Sequence, residues 1–208
     1  AVEEGQTPPI DRYIVFSGRD GKALDNNVSF LNGYNYTIYA PDNTAMQIAH
    51  EQMGLPTYEQ IYAVYEEATS ENASVEAETQ GKAKARKMID AVRGFIRYHF
   101  QNNSVFADNF VKETSYQSLY SSDLGIPVNI TTKSTGGMLT VTDAAEQSIV
   151  IDANDTERIV SKMARDYEFD QDKTTATAIA VSSFAVIHQV STPLCYSKSK
   201  RYDDTWTK

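Results

Sequence analysis

The sequence predicts an α+β fold, with helices placed ahead of most of the strands. Three stretches carry apolar residues at helical spacing, at 42–54, 57–68 and 85–99. A later region alternates apolar and polar residues on either side of a Gly136-Gly137 pair, as two strands joined by a tight hairpin do. Strands and helices do not alternate one by one, which argues against a parallel sheet built from βαβ units.

The first 35 residues read as an N-terminal extension. From 13 onward, short apolar runs (YIVF, VSFL, YTIYA) are separated by turn-prone SGRDGK, DNN and NGYN, so strands joined by tight turns are expected over 13–40. The extension would pack on a preceding domain. The first helix follows, with Pro41-Asp42-Asn43 as its cap, Met46, Ala49, His50 and Met53 on one face, and Gly54 as a left-handed stop. The second begins at Thr57, with Gln60 three residues on in capping-box spacing. Its stripe of Tyr58, Ile61, Tyr62, Tyr65 and Ala68 is expected to pack in the core. Residues 69–82 have almost no apolar content and read as a loop, part of an insertion near 69–84.

The third stripe comprises Ala85, Met88, Ile89, Val92 and Ile96. At 100° per residue, His99 falls within about 40° of its centre and Tyr98 on its flank. His99 is therefore expected inside, neutral and hydrogen-bonded. SVFA (104–107), YQSLYSS (116–122), the Gly136-Gly137 hairpin and SIVID (148–152) read as strands. Residues 153–177 read as a charged insertion with one short helix around Ile159 to Ala164. The last strong element, 178–194, puts Phe184, Val186, His188 and Val190 on one strand face, and 197–208 are left as a C-terminal tail.

Composition narrows the function classes. With 208 residues and 41% apolar content, the chain can bury a sizeable core. A net charge of −9 argues against a nucleic-acid partner, and KAKARK at 82–87 reads as a solvated helix face. Cys195 is the single cysteine, so no internal disulfide forms. No run approaches the roughly 18 apolar residues of a membrane span, and the N-terminus lacks signal-peptide features. The chain is expected to be a mature or excised fragment whose anchor, if any, lies upstream of Ala1.

Catalytic constellations are not found. The sequence has no Gly-x-Ser-x-Gly elbow, no His-Glu-x-x-His helix and no glycine-rich phosphate loop. Cys195 and His188 lie too far apart along an extended chain to form a pair. His50, His99 and His188 all fall on apolar faces, which is compatible with a three-histidine metal site, but core hydrogen bonding is the expected use. DANDTE at 152–157 starts like a calcium loop, yet its twelfth position is Met163, where a bidentate glutamate is required. We expect no catalytic residues, no metal and no cofactor.

Three segments occur in order: YTIYAPDNTAM (36–46), YHF (98–100) and FAVIHQVSTPL (184–194). Together they resemble the two boxes and the intervening Tyr-His motif of the fasciclin domain family, covering residues 36–196. Thr37, Tyr39, Ala40, Pro41, Asn43 and Ala45 match the first box, and Val186, Ile187 and His188 stand where the family has Val-Ile-His. Departures are Phe184-Ala185 in place of Asn-Gly, Ser191 in place of an acidic residue, and Pro193 at the exit.

The resemblance implies a β-wedge or sandwich with helices packed along it, and a non-catalytic adhesion or binding module at a cell surface or in the extracellular space. Its ligand would be a protein or glycan on a cell surface or matrix, and a neighbouring fasciclin-like domain in the same chain would be a further partner. Tyr98 and His99 match the motif implicated in receptor binding by animal members, Tyr98 being the better contact on the helical phase. Thr37, Ala40, Pro41, Asn43 and His188 are the structural motif. The alternatives are a structural spacer in a multidomain surface protein and, third, a hydrolase or metal enzyme. Six of the eleven asparagines (Asn27, Asn35, Asn72, Asn102, Asn129, Asn154) lie in Asn-x-Ser/Thr sequons, which would be glycan sites in a eukaryotic secreted protein. The family departures favour instead a bacterial surface protein or lipoprotein, periplasm-side or anchored at the outer membrane.

One prediction follows from the helical phase alone. Replacing His99 with Ala lowers stability by about 1–3 kcal/mol through lost packing and orphaned polar partners. Thermal melting checks it, and an unchanged Tm with lost ligand binding would overturn the core assignment.

Overall fold

The computed structural model describes residues 36–162, 167–169, 179–181 and 186–207. The expected strands of 13–35, the sequons at Asn27 and Asn35, and Phe184 lie outside them. Within them the fold is α+β, as expected. The order is β1 (Tyr36–Pro41), α1 (Asn43–Glu51), α2 (Tyr58–Ala68), α3 (Val75–Tyr98), β2 (Phe100–Asn102), β3 (Val111–Ser121), β4 (Pro127–Thr135), β5 (Met138–Thr142), β6 (Ser148–Asp152), β7 (Tyr167–Phe169), β8 (Ile179–Val181) and β9 (Val186–Val190). A short 3-10 helix, Asp203–Thr205, follows. Seven strands form one mixed sheet in the order β6-β5-β4-β3-β2-β1-β9, and β7 pairs with β8 separately. The edges β6 and β9 approach each other, so the sheet nearly closes into a barrel. No helix among the described residues is long and apolar enough to cross a membrane.

Local rules set the helix starts. Asp42 caps α1 by accepting from the Ala45 N–H at 2.8 Å, and Gly54 takes φ +73° beyond its end. Thr57 and Gln60 form the expected capping box on α2. The loop expected over 69–82 is shorter than that, because α3 begins at Val75. Ser74 accepts from the Ala77 N–H, Glu76 and Glu78 face the positive end of the helix dipole, and Glu78 pairs with Lys82 at 2.5 Å. These polar interactions carry a solvated first half that shows no apolar periodicity. The basic residues of 82–87 are exposed, while Ala85 between them is buried.

Packing shifts two of the expected stripes. On α2, Ile61 and Ala68 are buried but Tyr58 and Tyr62 are exposed, since α3 covers only the Ile61 side. On α3 the buried set is Ala85, Met88, Ala91, Gly94, Phe95 and Tyr98. That helix lies between α2 and β3, so its buried arc extends past the predicted stripe to take in Tyr98.

Two expectations in the β-rich part of the chain are corrected. Residues 104–107 are not a strand: Asn103, at φ +73°, turns the chain out of β2, and Val105 and Phe106 are buried in irregular structure. Backbone groups of this segment bond outside any ladder, Val105 N–H to the Thr37 hydroxyl and Ala107 N–H to the Ser161 carbonyl. The helix expected from Ile159 is likewise absent over its described part. Ile159 and Ser161 instead hydrogen-bond to β9, accepting from Gln189 N–H at 2.7 Å and donating to the Ile187 carbonyl at 3.0 Å. Of the single element expected over 178–194, the described residues include β8 over 179–181, paired with β7, and β9 over 186–190, paired with β1.

The hairpin forms as expected, with Gly136 at φ +62° and Gly137 at φ +81° joining β4 to β5. The tail from 197 folds back on the domain. Tyr202 is fully buried, its N–H bonded to the Met53 carbonyl and its hydroxyl to the Leu194 carbonyl, both at 2.7 Å.

α2 and α3 meet closely at Gly81, where an added Cβ would overlap the Cβ of Ala68. Gly81→Ala should therefore destabilise by about 1–3 kcal/mol through overpacking, against the roughly 1 kcal/mol that alanine gains in helix propensity. Chemical denaturation checks this, and adding Ala68→Gly should restore much of the loss.

Candidate functional site

The three quoted segments converge on one knot. β1 and β9 pair in parallel, with Thr37 opposite Val186, Tyr39 opposite His188 and Pro41 opposite Val190. The Thr37 hydroxyl donates to the Asn103 carbonyl at 2.7 Å and accepts from Val105 N–H at 2.9 Å. Tyr39 is fully buried, its N–H bonded to the His99 carbonyl and its hydroxyl to Gln101 Oε1, both at 2.9 Å. Ala40 and Pro41 complete the strand, and Asn43 opens α1. His188 donates from Nε2 to the Val105 carbonyl at 2.8 Å, with its ring stacked on Tyr39.

His99 is buried, as its helical phase predicts. Its Nδ1 lies 2.7 Å from the Phe95 carbonyl, and its Nε2 lies 3.0 Å from the Leu194 N–H. A carbonyl can only accept and an N–H can only donate, so the ring is the neutral Nδ1–H tautomer. Burial pushes its pKa down to about 4, although the Phe95 carbonyl favours the charged form.

Tyr98 is not on an exposed flank. Its side chain is fully buried, and its hydroxyl donates to the Asn129 carbonyl at 3.0 Å and accepts from Ala144 N–H at 2.8 Å. A surface contact through Tyr98 would require the core to open. His50 donates from Nδ1 to the Leu55 carbonyl at 2.8 Å. Cys195 is buried, with its thiol pushed up to about 11 chiefly by desolvation. Among the described residues, no three His, Cys, Asp or Glu side chains are grouped to hold a metal ion. In DANDTE, Asp152 accepts from Asn154 N–H and Asp155 from Glu157 N–H, so the segment folds as successive tight turns.

Asp143 carries a role that the sequence did not signal. Its Oδ1 accepts from Ala145 and Gln147 N–H, and its Oδ2 from Cys195 N–H at 2.8 Å, tying the β5–β6 turn to the segment after β9. Desolvation raises its pKa, and the three N–H donors oppose that shift.

A cleft of about 200 Å³ opens where the sheet fails to close, between β6 and the end of β9. Val160, Val190 and Ile151 form its buried apolar floor. On the rim, Arg158 donates to Asp155 Oδ2 at 2.8 Å and reaches toward Ser191 Oγ at 3.4 Å. The carboxyl of Asp155 is held below its usual range, first by Glu157 N–H and then by Arg158. Gln189, Thr192, Ser148 and Asp152 complete the polar ring. Neither histidine nor cysteine lines this cleft, and Tyr98 and His99 lie elsewhere. It presents donors and acceptors around a small apolar floor, in a shallow and mainly polar depression. Residues 148–152, 155–160 and 189–192 meet there only through long-range pairing, so the sequence carries no local sign of it.

Comparison with models of known protein families finds no match to this chain, and comparison with curated proteins finds none either.

The tautomer of His99 makes stability pH-dependent. The unfolded histidine takes up a proton near pH 6.5 and the folded one only near 4, so protons bind the unfolded state in that window. Stability should be lost as pH falls from about 6.5 to 4, by an amount on the order of 3 kcal/mol. Asp143, raised in the fold, works in the opposite sense. Denaturation of the native chain and of His99→Gln across that range isolates the histidine, because the loss through this window should be smaller in the variant.

Proposed function

We propose that the chain is a non-catalytic, fasciclin-like binding module of a cell surface or extracellular matrix, taking a protein or glycan ligand in the cleft between β6 and β9. The family resemblance is supported by the in-register parallel pairing of its two boxes through Thr37–Pro41 and Val186–Val190. The observation that carries the reading is the cleft itself, where Arg158, Asp155, Gln189 and Ser191 surround the apolar floor. The binding reading is favoured over an enzyme because His50, His99 and His188 each donate to a backbone carbonyl. In this reading the Tyr-His motif is framework, Tyr98 bonded to Asn129 and Ala144, and His99 to Leu194 just beyond the cleft.

The purified chain should show a saturable ligand on an array of glycans and matrix proteins. Arg158→Ala should weaken that binding at least tenfold with Tm nearly unchanged, since its side chain is exposed. A clean negative on the array would favour the spacer reading, and binding indifferent to Arg158 and Gln189 would move the site elsewhere.

A further inference from the structure

α2 carries two tyrosines that the helical stripe assigns to the core and the structure leaves outside it. Tyr58 is 46% exposed and Tyr62 39%, while Ile61 and Ala68 alone supply the buried residues of that helix. The two rings are stacked at 5.9 Å with planes 20° apart, one helical turn from each other. The platform is held in place. The capping box fixes the chain at Thr57, immediately before Tyr58, and Glu66, one turn beyond Tyr62, lies close enough to raise the pKa of its hydroxyl. Lys82, which borders Tyr65, is already paired with Glu78.

We propose that the Tyr58–Tyr62 platform on α2 binds a neutral polysaccharide, its sugar rings stacking on the tyrosines and its hydroxyls donating to Glu66. This rests on the binding-module reading, but on a different surface from the cleft.

Charge and area select this occupant. Glu66 lies beside Tyr62 on a chain of net charge −9, which disfavours nucleic acids, acidic polysaccharides and anionic lipid surfaces. Two half-exposed rings offer far less apolar area than the roughly 800 Å² per partner of a stable protein interface. A pyranose ring needs less: it presents one face of C–H groups to an aromatic surface and hydroxyls at its edge. The Glu66 carboxylate beside Tyr62 can meet such a hydroxyl as acceptor.

The test is affinity electrophoresis and calorimetry of the full chain against soluble neutral glucans, mannans and galactans, with hyaluronan and heparin as acidic controls. At least one neutral polymer should bind, with little dependence on salt. Tyr58→Ala and Tyr62→Ala should each weaken binding tenfold or more at unchanged Tm, while Tyr62→Phe retains most of it. Arg158→Ala should leave this binding intact, which separates the platform from the cleft. The proposal is overturned if no neutral polymer binds, if only the acidic polymers bind, or if binding survives both alanine substitutions. A polymer lost with Arg158→Ala but not with the tyrosine variants would assign glycan binding to the cleft instead.

Discussion

The parallel pairing of β1 with β9 is the constraint from which the rest of the structure follows. It joins residues 37–41 to residues 186–190, so nearly the whole described chain is enclosed between its partners. Closing so long a loop costs entropy before any contact compensates, and parallel pairing requires a crossover rather than a hairpin. Buried polar groups make this register the favoured one. Thr37 bridges two backbone groups beyond β2, His188 reaches Val105, and Asp42 N–H bonds the Val190 carbonyl at 2.9 Å. A slip by one residue would turn Tyr39 and His188 to the opposite face and strand these groups without partners.

The same fixings shape the surface. Ile159 to Ser161 occupies the outer edge of β9, which leaves β6 as the neighbour that approaches without pairing. His99 and Asp143 hold Leu194 and Cys195 through their N–H groups. The wall at 189–192 is therefore anchored from β9 on one side and by these two side chains just beyond the other. A cleft bounded in this way is held by the framework, so the ligand proposed for it would lose little binding free energy to ordering the protein.

What was legible in the sequence is what local rules decide. Asp42, Thr57-Gln60 and Gly136-Gly137 act within four residues, and each does in the structure what its type and spacing predict. The inward turn of His99 was legible because one helical period extends to it. The first turns of α3 escaped because a helix half in water needs no apolar stripe; Ser74 followed by Glu76 and Glu78 was the available signal. Residues 104–107 misled because an apolar run looks the same whether its backbone bonds a ladder or distant side chains. Tyr98 and the tyrosines of α2 were misplaced for one reason. Periodicity gives the direction of a buried face, while its width depends on how many partners cover the helix, and α3 has a sheet on one side where α2 has solvent.

These distinctions bear on where function can reside. Motif residues such as Thr37, Tyr98, His99 and His188 are buried and hydrogen-bonded within the framework, so altering any of them changes the fold before it changes a contact. Loss of binding after such a substitution would be expected whether or not the residue ever touches a ligand. On the binding reading proposed above, the groups that would distinguish ligands sit on elements the framework merely presents: Arg158 on the connection after β6, Gln189 at the exit of β9, and the two rings on α2. Because those side chains are peripheral to the core, ligand preference could change there with little effect on stability. On that reading the framework holds surfaces in place, and the chemistry of recognition has to be read from the surfaces themselves.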